Sequence, residues 1–354
     1  MTENIYSKIV SDFTIKYGEN NFEQKLVDLF REFGVVVITD VMSKNLCDEK
    51  VSEVITNFET IGTVKHFNKN NWDDENLPPQ TRPGLFQALV SNLKPVWEIR
   101  SNDNISNIFE ILYNNLRNKT YASNDFVVSG DGINVRPNGI EDYTKVQNDW
   151  PHCDQTKRND PYLCIQGQMV LTNTSASFVA SPKSYKIFDK IMDYYKREDS
   201  PSNWLRISDG SINDIKKMVE SVGGNWQVPI VAPAGSFIVW SSTTIHSARK
   251  AIQEELIDKN DHWKGWRCVI YVCYRPKEEF TQEEVYIRQR AFFENRVTNH
   301  WGNHIFDKKP GAKMNYKNVR HQLIDKYIEN PEKMYDIPNF KVNLNERQRK
   351  LICL

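Results

Sequence analysis

"APAGSFIVWSSTTIHSA", residues 232–248, shows the change of period that decides the fold. Pro233, Ala234 and Gly235 read as a turn, and "SFIVW" reads as a strongly apolar strand after it. His246 then stands in the next short run, "TTIHSARK". From residue 125 onward the chain is made of pieces of this kind. "DFVVSGDGINVRP", "YLCIQGQMVLTN", "SFVAS" and "WRCVIYVCY" are short, rich in β-branched and aromatic residues, and cut by Gly, Pro and Asn. Before them the period is helical. "FEQKLVDLFREF" (22–33) places Phe22, Leu26, Leu29, Phe30 and Phe33 on one face, ended by Gly34. "VVVIT" follows as a short buried strand, residues 43–62 form a helix opened by Ser43, and helical patterns return over 85–117. Further helices are expected at 184–197, 281–298 and near 317–328, with 65–84 a polar, Pro-rich loop. Helices, then strands, then helices argue for an α+β chain with a mainly β core, built on one antiparallel unit rather than on alternating βαβ. The expected organisation is a single domain over 1–354: a mostly helical part (1–124), a β core (125–280), and a helical or irregular C-terminal part (281–354).

Composition narrows the function classes. Lys+Arg and Asp+Glu balance at 46 each in 354 residues, so bulk charge gives no support to nucleic-acid binding, and none is expected. The six cysteines include no Cys-x-x-Cys pair and no zinc-finger spacing. The N-terminal stretch has no continuous apolar core of a signal peptide, and no run of 18 apolar residues suggests a membrane span. The expectation is an intracellular, cytoplasmic protein with free thiols and no membrane partner.

Chemistry-bearing residues gather around "DWPHCDQT", residues 149–156. His152 and Asp154 are two positions apart, and on a strand such residues point to one face. Alone, such a pair is more often structural or surface polarity than half of a metal site. Among seven histidines only His246 also lies inside the strand block, 92 residues beyond Asp154. That distance lets a late strand of an antiparallel unit return beside an early one. Two His and one carboxylate, with the remaining positions open, suit non-haem Fe(II) and O₂ chemistry. "GWRCVIYVCYRP" then puts Arg267 at the head of an apolar strand, where a buried guanidinium needs an anion. Its planar fork suits a carboxylate, and a dicarboxylate cosubstrate fits. Arg249 competes for this role but looks like a solvated strand end. His300 and His304, in "NHWGNH", are four apart like a helical metal pair, yet Gly302 stands between them and no acid follows; they are set aside.

In these stretches the chain resembles the phytanoyl-CoA dioxygenase-like (PhyH) branch of the Fe(II)/2-oxoglutarate-dependent oxygenases. The matching pieces are "VWEIRSN" (96–102), "SGDGINVRP" (129–137), "WPHCDQ" (150–155), "CIQGQMVLTN" (164–173), "SFVASPKSYK" (177–186), the opening stretch, "WRCVIYVCYRP" (266–276) and "RVTNHW" (296–301). The resemblance implies a double-stranded β-helix, a cupin-like jelly roll flanked by N- and C-terminal helices. It implies His152, Asp154 and His246 as metal ligands and Arg267 as the partner of the far carboxylate of 2-oxoglutarate. Gln166, Gln168 and Asn134 are the further cosubstrate contacts it suggests. The implied reaction uses Fe(II), O₂ and 2-oxoglutarate to hydroxylate a small molecule, releasing succinate and CO₂. Asp154 leaves no place for a halide ligand, which favours hydroxylation over halogenation. Trp150 and Gln155 beside the ligands, and Arg82 and Gln87 in a lid-like stretch (71–87), are the candidate substrate contacts. The chain departs from the family where a Gly-Gly-Phe and a Pro-Gly-Ser-His are usual: Ala176-Ser177 and Pro182-Lys183-Ser184-Tyr185 stand there. That departure keeps in view a catalytically inactive cupin-like binding protein; a second rival is a metalloenzyme that does not use 2-oxoglutarate.

Overall fold

The structure is a computed structural model that describes residues 2–61, 72, 77–78, 80–82, 84–87, 89–137, 150–200, 203–251, 258–305 and 342–354. In chain order the elements are α1 (Thr2–Ser11), β1 (Thr14–Lys16), α2 (Phe22–Phe33), β2 (Val35–Thr39), α3 (Lys44–Ile61), β3 (Gln80–Arg82), β4 (Leu85–Phe86), α4 (Lys94–Arg100) and α5 (Asp103–Arg117). The strand-rich part follows: β5 (Phe126–Val128), β6 (Ile133–Arg136), β7 (His152–Cys153), β8 (Ile165–Val170), β9 (Ser177–Ala180), α6 (Phe188–Tyr194), β10 (Leu205–Arg206), α7 (Ile212–Ser221), β11 (Val228–Ile230), β12 (Phe237–Ser241), β13 (His246–Arg249), β14 (Arg267–Tyr271) and β15 (Tyr274–Pro276). Helices α8 (Gln282–Phe293) and α9 (Glu346–Lys350) come last.

These strands make two sheets. The larger runs β1-β2-β12-β8-β14-β6-β4-β3, with β15 joining β5 and β8. The smaller runs β10-β7-β13-β9-β11 and is antiparallel throughout. Alternation along β2 and β12 shows how the layers form. Val36, Ile38, Phe237 and Val239 face a core shared with Leu26, Phe30, Val54, Phe58, Phe109 and Leu112 of helices α2, α3 and α5. Val35, Val37, Ile238 and Trp240 point the other way, onto Phe178, Ala180 and Ile230 of the small sheet. Phe178 meets Trp240 with ring centroids 4.4 Å apart. A strand covered on both faces must be apolar at every position, which is why "VVVIT" and "SFIVW" show no polar alternation. A third core lies outside the small sheet, where Cys153, Leu205 and Ile245 pack on Phe188, Ile191, Ile215 and Val219 of α6 and α7. The result is helices, large sheet, small sheet, helices: a mixed α and β molecule whose core is two packed sheets.

Helix α2 spans the expected 22–33, and Ser43 accepts from the Leu46 amide at 3.3 Å to open α3. The helical reading of 85–117 needs correction. Leu85 and Phe86 are a strand against Asn134 and Ile133, and helix begins only at Lys94. Pro95 in the first turn and the absence of a helical stripe before it account for the late start. Likewise α8 stops at Phe293, short of the expected 298. Helix α1 and strand β1 were not foreseen. The helix expected near 317–328 and most of the loop at 65–84 lie outside the described residues. Among the described residues no helix is long and apolar enough to cross a membrane.

Candidate metal centre

Pairing within the small sheet builds the centre. Strands β7 and β13 are antiparallel neighbours with His152 opposite His246, so both imidazoles leave the same face side by side, ring centroids 4.2 Å apart. Asp154 lies one residue past the end of β7, held by its backbone: its N–H donates to the Ser242 carbonyl at 2.8 Å, and its carbonyl accepts from the Trp301 indole at 2.8 Å. Its carboxylate turns back to the rings. His152 Nε2 stands 3.7 Å from Oδ1 and His246 Nε2 stands 3.2 Å from Oδ2. All three side chains are buried.

Tautomers follow from the other ring nitrogens. His152 Nδ1 lies 3.0 Å from the Trp150 carbonyl and His246 Nδ1 lies 2.9 Å from the Thr244 carbonyl. A carbonyl only accepts, so each Nδ1 carries a proton and each Nε2 is the ring nitrogen turned toward Asp154. Two imidazole Nε2 atoms and a carboxylate therefore meet at one buried point. The three donor atoms lie close enough together to hold one metal ion, and two imidazoles with a carboxylate are a common donor set for one. The electrostatics agree. Burial and the neighbouring His246 push the His152 pKa down to about 3, keeping the ring neutral. Burial alone would raise the Asp154 carboxyl, but His152, His300 and His246 outweigh it and hold Asp154 well below the usual carboxylate range.

A cavity of about 410 Å³ opens over this centre. Arg267 lines it and is 3% exposed. Its Nε donates to Asn134 Oδ1 at 3.2 Å and its Nη1 to the Ala176 carbonyl at 2.9 Å, while Tyr271 supplies a further side-chain hydrogen bond. Burial lowers its pKa, and among the described residues no carboxylate pairs with it. Gln168 also lines the cavity, and its buried Oε1 has no hydrogen-bond partner. Asn134, Trp150 and Gln87 are in the lining too, Trp150 stacked on His152 with centroids 4.2 Å apart.

Other candidates sit elsewhere. Gln166 is fully buried and donates to Asp154 Oδ2 at 3.0 Å, so it touches the carboxylate ligand rather than the cavity. Gln155 is spent on the chain: its Nε2 donates to the Lys157 and Asp160 carbonyls and its Oε1 accepts from Ser242. Arg82 ends β3, and its side chain lies outside the described residues. Arg249 is half-buried at the end of β13 and is not in the cavity lining.

Sequence reasoning missed His300. It lines the cavity, with Nε2 3.3 Å from Asp154 Oδ2 and Nδ1 2.5 Å from Asp131 Oδ2. Burial works against a charged ring there, but Asp131 and Asp154 together raise its pKa well above the ordinary imidazole value. Asp131, Tyr271, Asn299, Trp301 and the half-exposed Trp204 complete a lining rich in indoles. The signal for His300 was present in "RVTNHW"; the helical spacing to His304 drew attention from it.

Similarity to known proteins is distant. No family model matches the sequence. The protein "Ava biosynthesis cluster protein O" of Aspergillus versicolor is 23% identical over 301 residues, covering 82% of this chain and 89% of that one. Hypothetical protein JW0805 of Escherichia coli has a similar solved structure, with a TM-score of 0.59, 10% identity, and 99% and 92% of the two chains covered. The epimerase SnoN, solved with Fe³⁺, α-ketoglutarate and nogalamycin RO, aligns with a TM-score of 0.45 at 12% identity over 72% of this chain and 84% of its own. The Escherichia coli likeness is one of fold; the SnoN likeness is too loose to carry an argument.

Proposed function

We propose that the chain is a non-haem Fe(II)- and 2-oxoglutarate-dependent oxygenase acting on a small molecule, and that its two sheets are the double-stranded β-helix of the phytanoyl-CoA dioxygenase-like branch. The observation that carries this reading is the coincidence, in one cavity, of the His152–Asp154–His246 donor set and a buried guanidinium, Arg267, with no carboxylate partner among the described residues. A closed zinc site would more often recruit a fourth ligand, usually Cys. A buried cation facing a cavity suits a ligand carboxylate bidentately.

His152, Asp154 and His246 would hold the metal, and Arg267, steered by Asn134 and the Ala176 carbonyl, would take the far carboxylate of 2-oxoglutarate. Gln168, with its unpartnered Oε1, faces the same space. When bound, iron with 2-oxoglutarate and O₂ supplies oxidative decarboxylation to succinate and CO₂ coupled to insertion of one oxygen atom into a substrate C–H bond. The chain fixes both tautomers through the Trp150 and Thr244 carbonyls, and Trp150 shields the His152 ring from solvent. Gln87 and Trp150 remain candidate substrate contacts.

The test is an anaerobic titration with Fe(II) and then 2-oxoglutarate, followed by the weak visible charge-transfer band. A band is expected in the wild type, with Arg267→Ala needing far more 2-oxoglutarate to produce it. His152→Ala and His246→Ala should abolish succinate release. No band in the wild type would leave a binding protein or a metalloenzyme of another kind; an unchanged band in Arg267→Ala would remove the assigned role of that residue.

A further inference from the structure

We propose that the part of the substrate entering the cavity is a flat, uncharged ring bearing an N–H or O–H group, laid against Trp204 with its donor on Asn203. The inference deepens the oxygenase reading and rests on it for the assignment of the metal and cosubstrate groups.

Trp204 is a large apolar side chain without a place in the fold. It is 39% exposed, belongs to none of the three apolar cores, and lines the cavity. Among the described lining residues no other side chain is as open to solvent. An indole left half in water adds little to folding, because much of its apolar surface stays hydrated. Its ring centroid lies 6.3 Å from that of His152, which puts it at the mouth of the cavity on the metal side. A flat ring stacked on Trp204 would extend inward toward the metal.

Asn203, its neighbour, is 5% exposed and also lines the cavity, and its buried Oδ1 has no hydrogen-bond partner. The backbone there sits at φ 49°, a left-handed conformation that Asn tolerates better than most residues, and the Asn203 N–H donates to the Ser200 carbonyl at 2.9 Å. An amide oxygen buried without a donor is costly. 2-Oxoglutarate offers two carboxylates and a keto group, all acceptors, so it cannot supply that donor. A substrate N–H or O–H can.

Charge on the inserted part is excluded by elimination. The carboxylate, imidazole and guanidinium side chains of the described lining are Asp131, His152, Asp154, His246, Arg267 and His300. Three of them are the metal donor set, Arg267 takes the cosubstrate, and Asp131 and His300 meet each other at 2.5 Å. None is left to pair with a substrate charge, and an unpaired charge taken out of water is expensive. The cavity of about 410 Å³ lies at the small end of ligand sites and must admit the cosubstrate as well, so the inserted part is small.

Ligand-observed NMR on the full chain loaded with Zn(II) and 2-oxoglutarate tests this without turnover, since both groups are then occupied. 2-Naphthol should bind. 2-Methoxynaphthalene, which lacks the donor, should bind about 5-fold more weakly, and the anion 2-naphthoate at least ~10-fold more weakly. Trp204→Ala should weaken 2-naphthol about tenfold, while Trp204→Phe, which keeps a flat ring, should retain most of the affinity. Asn203→Gly keeps the left-handed turn and should erase the preference for 2-naphthol over 2-methoxynaphthalene. Far-UV circular dichroism checks that each variant is folded. No binding of 2-naphthol, equal binding of 2-naphthoate, or affinity unchanged in Trp204→Ala would overturn the proposal. The preference for 2-naphthol and its dependence on Trp204 should persist in the bare chain. There they are read apart from the Fe(II) and 2-oxoglutarate titration, so a failure of the oxygenase reading and a failure of this one give different results.

Discussion

Single residues connect the frame to the site, and Gly34 is the clearest case. It closes α2 with φ 70°, its N–H donating to the Phe30 carbonyl, in a conformation that an L side chain adopts only with strain. Its own carbonyl accepts from the Ser241 N–H and from Thr244 Oγ1, both at 2.9 Å, which anchors the loop leading into His246. A Cβ at this position would come within 2.4 Å of the Tyr185 ring, and Tyr185 cannot give way freely because its hydroxyl is bonded to the Arg31 carbonyl. Gly34→Ala should therefore lose more than about 1 kcal/mol from the backbone and a further ~1–3 kcal/mol from overlap, read as a lower urea midpoint. An unchanged midpoint would mean that the turn relaxes without cost. The residue scale is also where the sequence was least legible. His152 and His246 could be found because each sits in a strand, where spacing fixes the face. His300 gave only the weaker signal of "RVTNHW", because its two partners, Asp131 and Asp154, are brought to it by tertiary folding and not by any local period.

Elements differ in how firmly they are held. β12 is bonded along its length on both sides, to β2 and to β8, and β14 likewise lies between β6 and β8. β10 is a two-residue edge strand with one neighbour. Amides in the interior of β12 should exchange near the global unfolding limit, and those of β10 should exchange at least ~10³-fold faster. Hydrogen-exchange mass spectrometry over peptides covering 236–241 and 203–208 decides it; comparable rates would mean that the large sheet opens locally. The same contrast explains which elements the sequence disclosed. Strands covered on both faces read as apolar runs, so β2, β12 and the part of β14 beyond Arg267 were visible, and β8 was visible although it carries Gln166 and Gln168. β1 has three residues with one fully buried, and β4 has two, too short for any period to show. The segment at 85–93 is apolar without being helical, and only its pairing with β6 tells strand from helix.

Across the whole molecule the metal centre stands on the small sheet and Arg267 on the large one, so the site exists only while the two sheets stay packed. We propose that the described layers unfold as one unit, and the cysteines are placed to report it. Cys47 and Cys268 lie in the core between helices and large sheet, and Cys153 lies in the core outside the small sheet. Cys164 and Cys273 are also buried, while Cys353 is half-buried. Burial pushes the Cys47 thiol up to about 12 and raises those of Cys153, Cys164, Cys268 and Cys273 as well. A thiol whose pKa is raised is less ionised at any given pH, and the thiolate is the reactive form. At pH 8 a water-soluble disulfide reagent should thus find one slow thiol, Cys353, in the native protein and all six after denaturation. In a urea series the five buried thiols should become reactive over a single transition that coincides with loss of circular dichroism. Mass-spectrometric mapping showing Cys153 labelled at lower urea than Cys47 and Cys268 would mean that the small sheet opens first. The two halves of the site would then be separable in stability, and metal binding by His152, Asp154 and His246 should fade before the large sheet melts.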